Sequence, residues 1–145
     1  MNKAKDLTKQ APRSPRIRIG GYVILARMAD KGRAFLNGTA GQYLFDCPTD
    51  NLLFGFKEVR GAEVRPVLES GASDEEIADW LDTHGTRKTA AEIKTWSDAT
   101  ETTSPYDNPE QRDWFTGVCA ELGLKPERTT LFDYLEADDR ASFRK

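Results

Sequence analysis

The sequence predicts an all-α protein: a single compact multi-helix domain of about six or seven helices, with at most one short strand. Three observations carry this prediction. Apolar residues recur at helical spacing through most of the chain, and two capping-box patterns mark helix starts. One brief apolar run, within 39–46, has the length of a strand, and one strand cannot make a sheet. The chain has 145 residues, the commonest size of one domain.

The N-terminal segment differs from the rest of the chain in both charge and backbone preference. Residues 1–16 are predicted to be a basic extended arm, or strap, and residues 17–145 a single helical domain. Pro12 and Pro15 forbid a helix between them and favour extended backbone. We expect the arm to be ordered only where the domain holds it.

The first helix is predicted to begin near Gly21 and to end at Gly38 as its C-terminal cap. One wide stripe of it is apolar and should bury against the core: Ile24, Leu25, Met28, Ala29, Gly32, Phe35 and Leu36. The other side carries charged residues, which we expect to face water or a ligand: Arg27, Asp30, Lys31 and Arg33.

The later helices are predicted from local start signals. In chain order these are Asp46-Cys47-Pro48, the segment between Gly61 and Gly71, Ser73 with Glu76, Thr89 with Glu92, Asn108-Pro109, and Thr129 or Thr130. The large residues expected to face inward include Leu52, Leu53, Phe56, Ile77, Trp80, Leu81, Ile93, Trp96, Trp114, Phe115, Cys119 and Phe132.

The charge is unevenly distributed along the chain. Residues 1–33 hold nine basic and two acidic side chains, whereas the remaining 112 residues hold twelve basic and twenty-two acidic ones. This basic head can lie on the acidic body, or it can bind an external anion. The first alternative is favoured, because charge asymmetry within one domain usually neutralises itself.

Composition argues against several classes of protein. The two cysteines have no partner spacing and the one histidine, His84, stands alone, so no disulfide framework, metal site or cofactor is predicted. No apolar run is long enough to cross a membrane and no signal-peptide pattern is present, so the expected location is the cytoplasm.

The leading functional hypothesis is a binding module for an anionic small molecule or an acidic protein partner. Guanidinium groups suit phosphate and carboxylate, and glycines let a ligand approach the backbone. The candidate residues are Arg13, Arg16, Gly20, Gly21, Tyr22, Arg27, Lys31 and Arg33. The competing interpretation pairs the arginines with acidic helix faces such as Asp74, Glu75, Asp79 or Glu92.

Two other functions stay open from the sequence. A small enzyme acting on an anionic substrate could use Cys47 or Asp46 at a helix N-terminus, although a small buried cysteine is the simpler interpretation. Between an enzyme and a protein that only binds, the sequence favours the protein that only binds. Nonspecific nucleic-acid binding by the basic head is a further alternative, which the acidic body disfavours.

Several short strings resemble a bacterial family known as domain of unknown function number five thousand and sixty-nine. They are Asp6-Leu7-Thr8-Lys9, Pro12 to Arg16, Gly20-Gly21-Tyr22, Asp30-Lys31, Tyr43 with Asp46-Cys47-Pro48, Ser73 to Glu76, and Trp80. The resemblance covers essentially the whole chain. The resemblance implies a shared arrangement of these strings along the chain, but the family has no established activity, substrate or cofactor to carry over.

Overall fold

A computed structural model describes residues 4–143 and confirms the all-α fold of a single domain. Seven α-helices follow one another in the described chain: α1 Leu25–Leu36, α2 Pro48–Lys57, α3 Gly61–Glu69, α4 Asp74–Thr83, α5 Ala90–Glu101, α6 Arg112–Glu121 and α7 Leu131–Ser142. Two single turns of 3₁₀ helix, Pro105–Asp107 and Pro126–Arg128, flank α6. Within 4–143 there is no sheet, and 39–46 forms turns rather than a strand.

Helix α1 lies at the centre of the fold. Nine of its 12 residues are buried, and it contacts α2, α3 and α4. The core around it combines residues before and within α1 with large side chains from the other helices: Tyr22, Val23, Ile24, Leu25, Met28, Leu53, Phe54, Val64, Ile77, Leu81 and Phe132. No described helix is both long and apolar enough to cross a membrane.

The expectation that the charged side of α1 faces water is wrong. Arg27, Asp30 and Lys31 are only 4%, 5% and 3% exposed. The arm covers one side of the helix and α7 covers another, so the charges are buried opposite carboxylates or cations instead of being solvated. Amphipathic spacing identified one buried face, but α1 is enclosed on nearly all sides.

Several residues expected to face inward lie at the surface instead. Phe35, Leu52 and Trp114 are 48%, 41% and 51% exposed. Phe35 stacks on Phe45 at a centroid separation of 6.4 Å, at the edge of the core rather than inside it. Helical spacing locates a face only to within a residue or so, which explains errors at the margins of each stripe.

The predicted helix boundaries are correct where a side-chain cap fixes them. Ser73, Thr89 and Thr130 each accept a hydrogen bond from the third residue of the following helix. Two starts were predicted too early: α1 begins at Leu25 and α6 at Arg112. A turn at Gly20-Gly21 and an Asn108 side chain that accepts from the Glu110 amide delay them.

The arm is held against the helical body at several points, with the exposed residues 8–10 between them. Leu7 is 2% exposed, and its amide donates to the Thr39 carbonyl at 2.8 Å. The Arg13 amide donates to Asp30 Oδ2 at 2.8 Å. The first three residues of the predicted arm and the last two of the predicted domain lie outside the described residues.

Candidate functional site

The first part of the predicted basic cluster, near the start of α4, is occupied by carboxylates of the chain. Arg13 donates to both oxygens of Asp30 and to both oxygens of Asp74, and Arg33 donates to Asp74 Oδ1 at 2.9 Å. Burial opposes ionisation of Asp74, but the hydrogen bonds from Arg13 and Arg33 outweigh it and lower the pKa of that carboxyl. These two guanidinium groups therefore form an internal ion-pair network.

The second part of the cluster contacts α7. Arg16 pairs with Asp133 and, at 3.2 Å, with Glu136 Oε1. Arg27 pairs with Asp139 through two hydrogen bonds of 2.7 and 3.1 Å. The head thus lies on the acidic body, although its partners are not Glu75, Asp79 or Glu92, the other acids named above from the sequence.

Gly20 and Gly21 form a tight turn that lies on α4 and α5. Ile19 and Tyr22 exchange both backbone hydrogen bonds across it, and both glycines have positive φ, +60° and +87°. This is the pattern of a type I′ turn, which favours glycine at both central positions. A Cβ on Gly20 would lie 2.7 Å from the Cβ of Ala78 in α4. No described residue accepts a hydrogen bond from either glycine amide.

The glycine turn forms one wall of a groove of about 420 Å³, here called the glycine-turn groove. Arg18, two residues before the turn, also lines it, and the remaining lining residues come from α4, α5 and the segment between them: Asp82, Lys88, Ala90, Ile93 and Lys94. Arg18 and Lys94 are paired with Asp98, whereas the Lys88 ammonium lies 5.0 Å from the Phe56 ring centroid and has no carboxylate partner among the described residues. Lys88 is therefore the cation in this groove that is available to a ligand.

Tyr22 lies beneath the same groove and holds the Asp82 carboxylate that lines it. The Tyr22 ring is fully buried, and its hydroxyl donates to Asp82 Oδ1 at 2.7 Å. Burial, followed by the negative charge of Asp82, raises the pKa of the Tyr22 hydroxyl well above its ordinary value. The prediction that Tyr22 offers an aromatic face to a ligand does not fit a buried ring.

The raised pKa of Tyr22 predicts a loss of stability in alkali. An unfolded tyrosine ionises near pH 10, about its model value, while the folded one keeps its proton. Stability is therefore fully present below about pH 10 and falls above it by up to about 1.4 kcal/mol per pH unit. Urea unfolding between pH 9 and about 11 should show a shallower alkaline decline for Tyr22→Phe than for the wild type. Equal slopes would show that the Tyr22 hydroxyl does not contribute.

A second cavity, of about 460 Å³, lies between the arm and α7. Tyr43 and Phe143 line it with their rings stacked at 6.5 Å, and Asp138 contributes a carboxylate. No lysine or arginine is among its described lining residues. An anion is therefore better accommodated by the glycine-turn groove.

Cys47 is the N-cap residue of α2, as predicted, and the neighbouring Asp46 side chain is engaged elsewhere. Asp46 has a positive φ of 64°, and its carboxylate packs against Gly61 at the start of α3. The neighbour of the Cys47 thiol is instead the ammonium of Lys31, 2.9 Å from Sγ. Cys119 is buried in α6, as the sequence predicted.

A family model matches residues 9–141 and carries the description Domain of unknown function (DUF5069). The chain belongs to the DUF5069 family. The resemblance found in the sequence is confirmed, and the family has no known activity. No curated protein matches the chain.

In this DUF5069 protein Gly20 and Gly21 were predicted from the sequence as ligand-binding residues, whereas Lys88 and Lys94 were not. These lysines follow the glycine turn by more than 60 positions, so no local spacing connects them to it. The one available signal was the Thr89 capping box, which places Lys88 just before the start of α5 and Lys94 in its second turn. Among the described residues of this DUF5069 chain, no group of three or more His, Cys, Asp or Glu side chains could hold a metal ion.

Proposed function

We propose that this protein binds a small molecule through an anionic group held in the glycine-turn groove. The observation that carries the proposal is one concave surface that combines two exposed glycines, Gly20 and Gly21, whose amides have no described acceptor, with a Lys88 ammonium that has no described carboxylate partner. Backbone N–H groups at positive-φ turns and a lysine ammonium are both common partners of phosphate and carboxylate oxygens.

The groove suits this role better than the arginines of the head do. Arg13, Arg16, Arg27 and Arg33 already hold carboxylates within the protein, so a ligand would have to displace an internal partner. Binding at Lys88 requires no such exchange. Of the residues predicted to bind a ligand, only Gly20 and Gly21 belong to the proposed site. Lys88 and Lys94 are added, and the anion is expected at the glycine turn instead of at the arginines.

The size of the groove also favours a small molecule over a macromolecule. A space of about 420 Å³ falls in the range of small-ligand sites. The apolar side chain of Ile93 and the methyl of Ala90 line it beside the charged groups. A ligand with a compact anionic group and an apolar part would match this lining.

Phosphate titration followed by amide NMR tests the proposal directly. We expect the Gly20 and Gly21 amide resonances to shift and saturate as inorganic phosphate replaces chloride at constant ionic strength. Lys88→Gln should weaken phosphate binding roughly tenfold, because a charge-assisted hydrogen bond contributes about 1.4 kcal/mol or more. The measurement is the dissociation constant from the chemical-shift titration.

The matched control for this titration is Lys125→Gln. Lys125 is an exposed lysine outside the groove, and its removal changes the net charge equally. Phosphate affinity should be unchanged in Lys125→Gln. The proposal is wrong if the glycine amides do not move, or if both variants weaken binding to the same extent.

The cellular location and the alternative functions are separate from the binding site. We place this binding in the cytoplasm, since the free thiols of Cys47 and Cys119 suit a reducing compartment. A catalytic role for Cys47 or Asp46, an acidic protein partner and nucleic-acid binding by the head stay predictions. A DNA-binding assay across salt concentrations would address the last of these, because phosphate-backbone binding weakens steeply with salt.

A further inference from the structure

Three reactive side chains meet where α1 passes the start of α2, away from the glycine-turn groove. The Lys31 ammonium donates to Cys47 Sγ at 2.9 Å and to the Leu44 carbonyl at 3.0 Å. It also lies 2.9 Å from Asp50 Oδ1. Lys31 is 3% exposed and Asp50 is fully buried, whereas Cys47 is half-buried. A small oxidant can therefore reach the sulfur while the amine is held beside it.

The position of the lysine is fixed by this cluster rather than by solvent. Asp50 Oδ2 accepts from the Asp46 amide, but no described donor points at Asp50 Oδ1 with hydrogen-bond geometry, although the ammonium lies within ion-pair distance. The described hydrogen bonds of Lys31 Nζ go to the sulfur and to a carbonyl, which accounts for two of its three N–H groups. The Lys31 ammonium is thus the described cation closest to Asp50 Oδ1.

We propose that peroxide oxidises Cys47 and that Lys31 then captures the oxidised sulfur in a covalent bond between Nζ and Sγ. In the first step the thiol loses its proton, the thiolate attacks one oxygen of hydrogen peroxide, and the O–O bond breaks to give the sulfenic acid and hydroxide. The hydroxide takes up the proton that the thiol released and leaves as one water. The sulfur is oxidised by two electrons and the peroxide is reduced. In the second step the Nζ lone pair attacks Sγ, the N–S bond forms, the S–O bond breaks, and a second water leaves.

The second step needs a neutral amine, and Asp50 is placed to take the proton. Asp50 Oδ1 is 2.9 Å from Nζ, so the proton passes directly between these two atoms once the ammonium turns an N–H towards the carboxylate. Burial raises the pKa of the Asp50 carboxyl above its ordinary value, despite the opposing charge of Lys31, and thereby favours the protonated form. Asp50 acts here as a proton acceptor that the protein holds dry.

The N–S bond would link α1 and α2 covalently. It joins the middle of α1 to the N-cap of α2 and closes the intervening loop, which contains Tyr43 and Phe45. A covalent closure of this kind restricts the unfolded chain and raises stability. Two equivalents of a small thiol would restore Lys31 and Cys47 and become a disulfide, so the link is reversible.

Intact-mass and peptide mass spectrometry of the wild-type protein test the inference. The reduced, reductant-free chain is treated with hydrogen peroxide and digested without reduction by a protease that does not cleave at lysine. We expect a joined peptide containing Lys31 and Cys47, lighter than the sum of its parts by two hydrogen atoms. Dithiothreitol should return both peptides to their original masses. The thermal midpoint should rise on oxidation and fall back on reduction.

Two variants separate capture by lysine from simple oxidation. Lys31→Arg keeps the positive charge near the thiol, and we expect loss of the joined peptide and trapping of the Cys47 sulfenic acid by dimedone. Cys119→Ala removes the other thiol, whose pKa is raised by burial, and should leave the link intact. Circular dichroism confirms that each variant is folded.

The wild-type result decides the matter even if a variant does not fold. Conversion of Cys47 to sulfinic or sulfonic acid with Lys31 unmodified would overturn the inference. So would an unchanged mass under peroxide, or a joined peptide heavier by one oxygen, since that product is not the direct N–S bond.

Discussion

Replacing Arg27 by methionine is expected to destabilise the protein by about 3–5 kcal/mol. The side chain is 4% exposed, and its guanidinium makes two hydrogen bonds to Asp139, which is 8% exposed. Methionine removes the cation and leaves a buried carboxylate with only the Tyr43 hydroxyl as a described side-chain donor. Urea unfolding at neutral pH measures the difference directly.

The double variant Arg27→Met with Asp139→Leu provides the control. Removing both charges leaves no uncompensated ion, so the double variant should be more stable than Arg27→Met alone. A loss below about 1 kcal/mol in the single variant would show that water reaches the pair and solvates it. In that case Arg27 would return to the set of residues available to a ligand.

Gly85→Ala is expected to destabilise the protein by about 3 kcal/mol or more. Gly85 has a φ of +65°, and a Cβ there would lie 1.9 Å from the Lys57 carbonyl oxygen, far inside contact distance. That carbonyl is fixed, because it accepts from the Thr86 amide at 2.7 Å while Lys57 Nζ donates to the Thr86 carbonyl. The backbone must therefore shift to admit a methyl group, and thermal and urea unfolding would report the loss.

Gly55→Ala is the matched control, since Gly55 lies in α2 two residues before Lys57 and a Cβ there meets nothing within 4 Å. It should be neutral or stabilising by up to about 1 kcal/mol. Near-equal stability of the two variants would contradict the close approach at Lys57.

Together these contacts show why the head of the chain is basic. Its cations are distributed to carboxylates on α4, α5 and α7, with Arg18 reaching Glu101, Arg33 reaching Asp74 and Arg27 reaching Asp139. Each pair joins α1, or the segment just before it, to a helix from later in the chain. The charge asymmetry of the sequence therefore contributes to holding the fold together, and the anion site that we propose depends on a lysine from the acidic part of the chain, Lys88.

Local features could be predicted because they depend on neighbours in sequence. The capping boxes at Ser73 and Thr89, the helix end at Gly38 and the all-α class follow from hydrogen bonds and spacing within a few residues. The glycine turn was also identified, since the arrangement of Gly20-Gly21 between apolar anchors is a local signal.

Only the tertiary structure decided which charges meet and which remain unpaired. Arg13 reaches Asp74 and Arg27 reaches Asp139 across 61 and 112 positions. Lys88 and Gly20 line one groove because the glycine turn lies against α4 and α5. Amphipathic spacing gives the direction of a side chain from its own helix, but it does not say which helix lies opposite. A basic residue paired with a buried carboxylate and a basic residue in water can have the same neighbours in sequence. Only their burial in the folded protein distinguishes them.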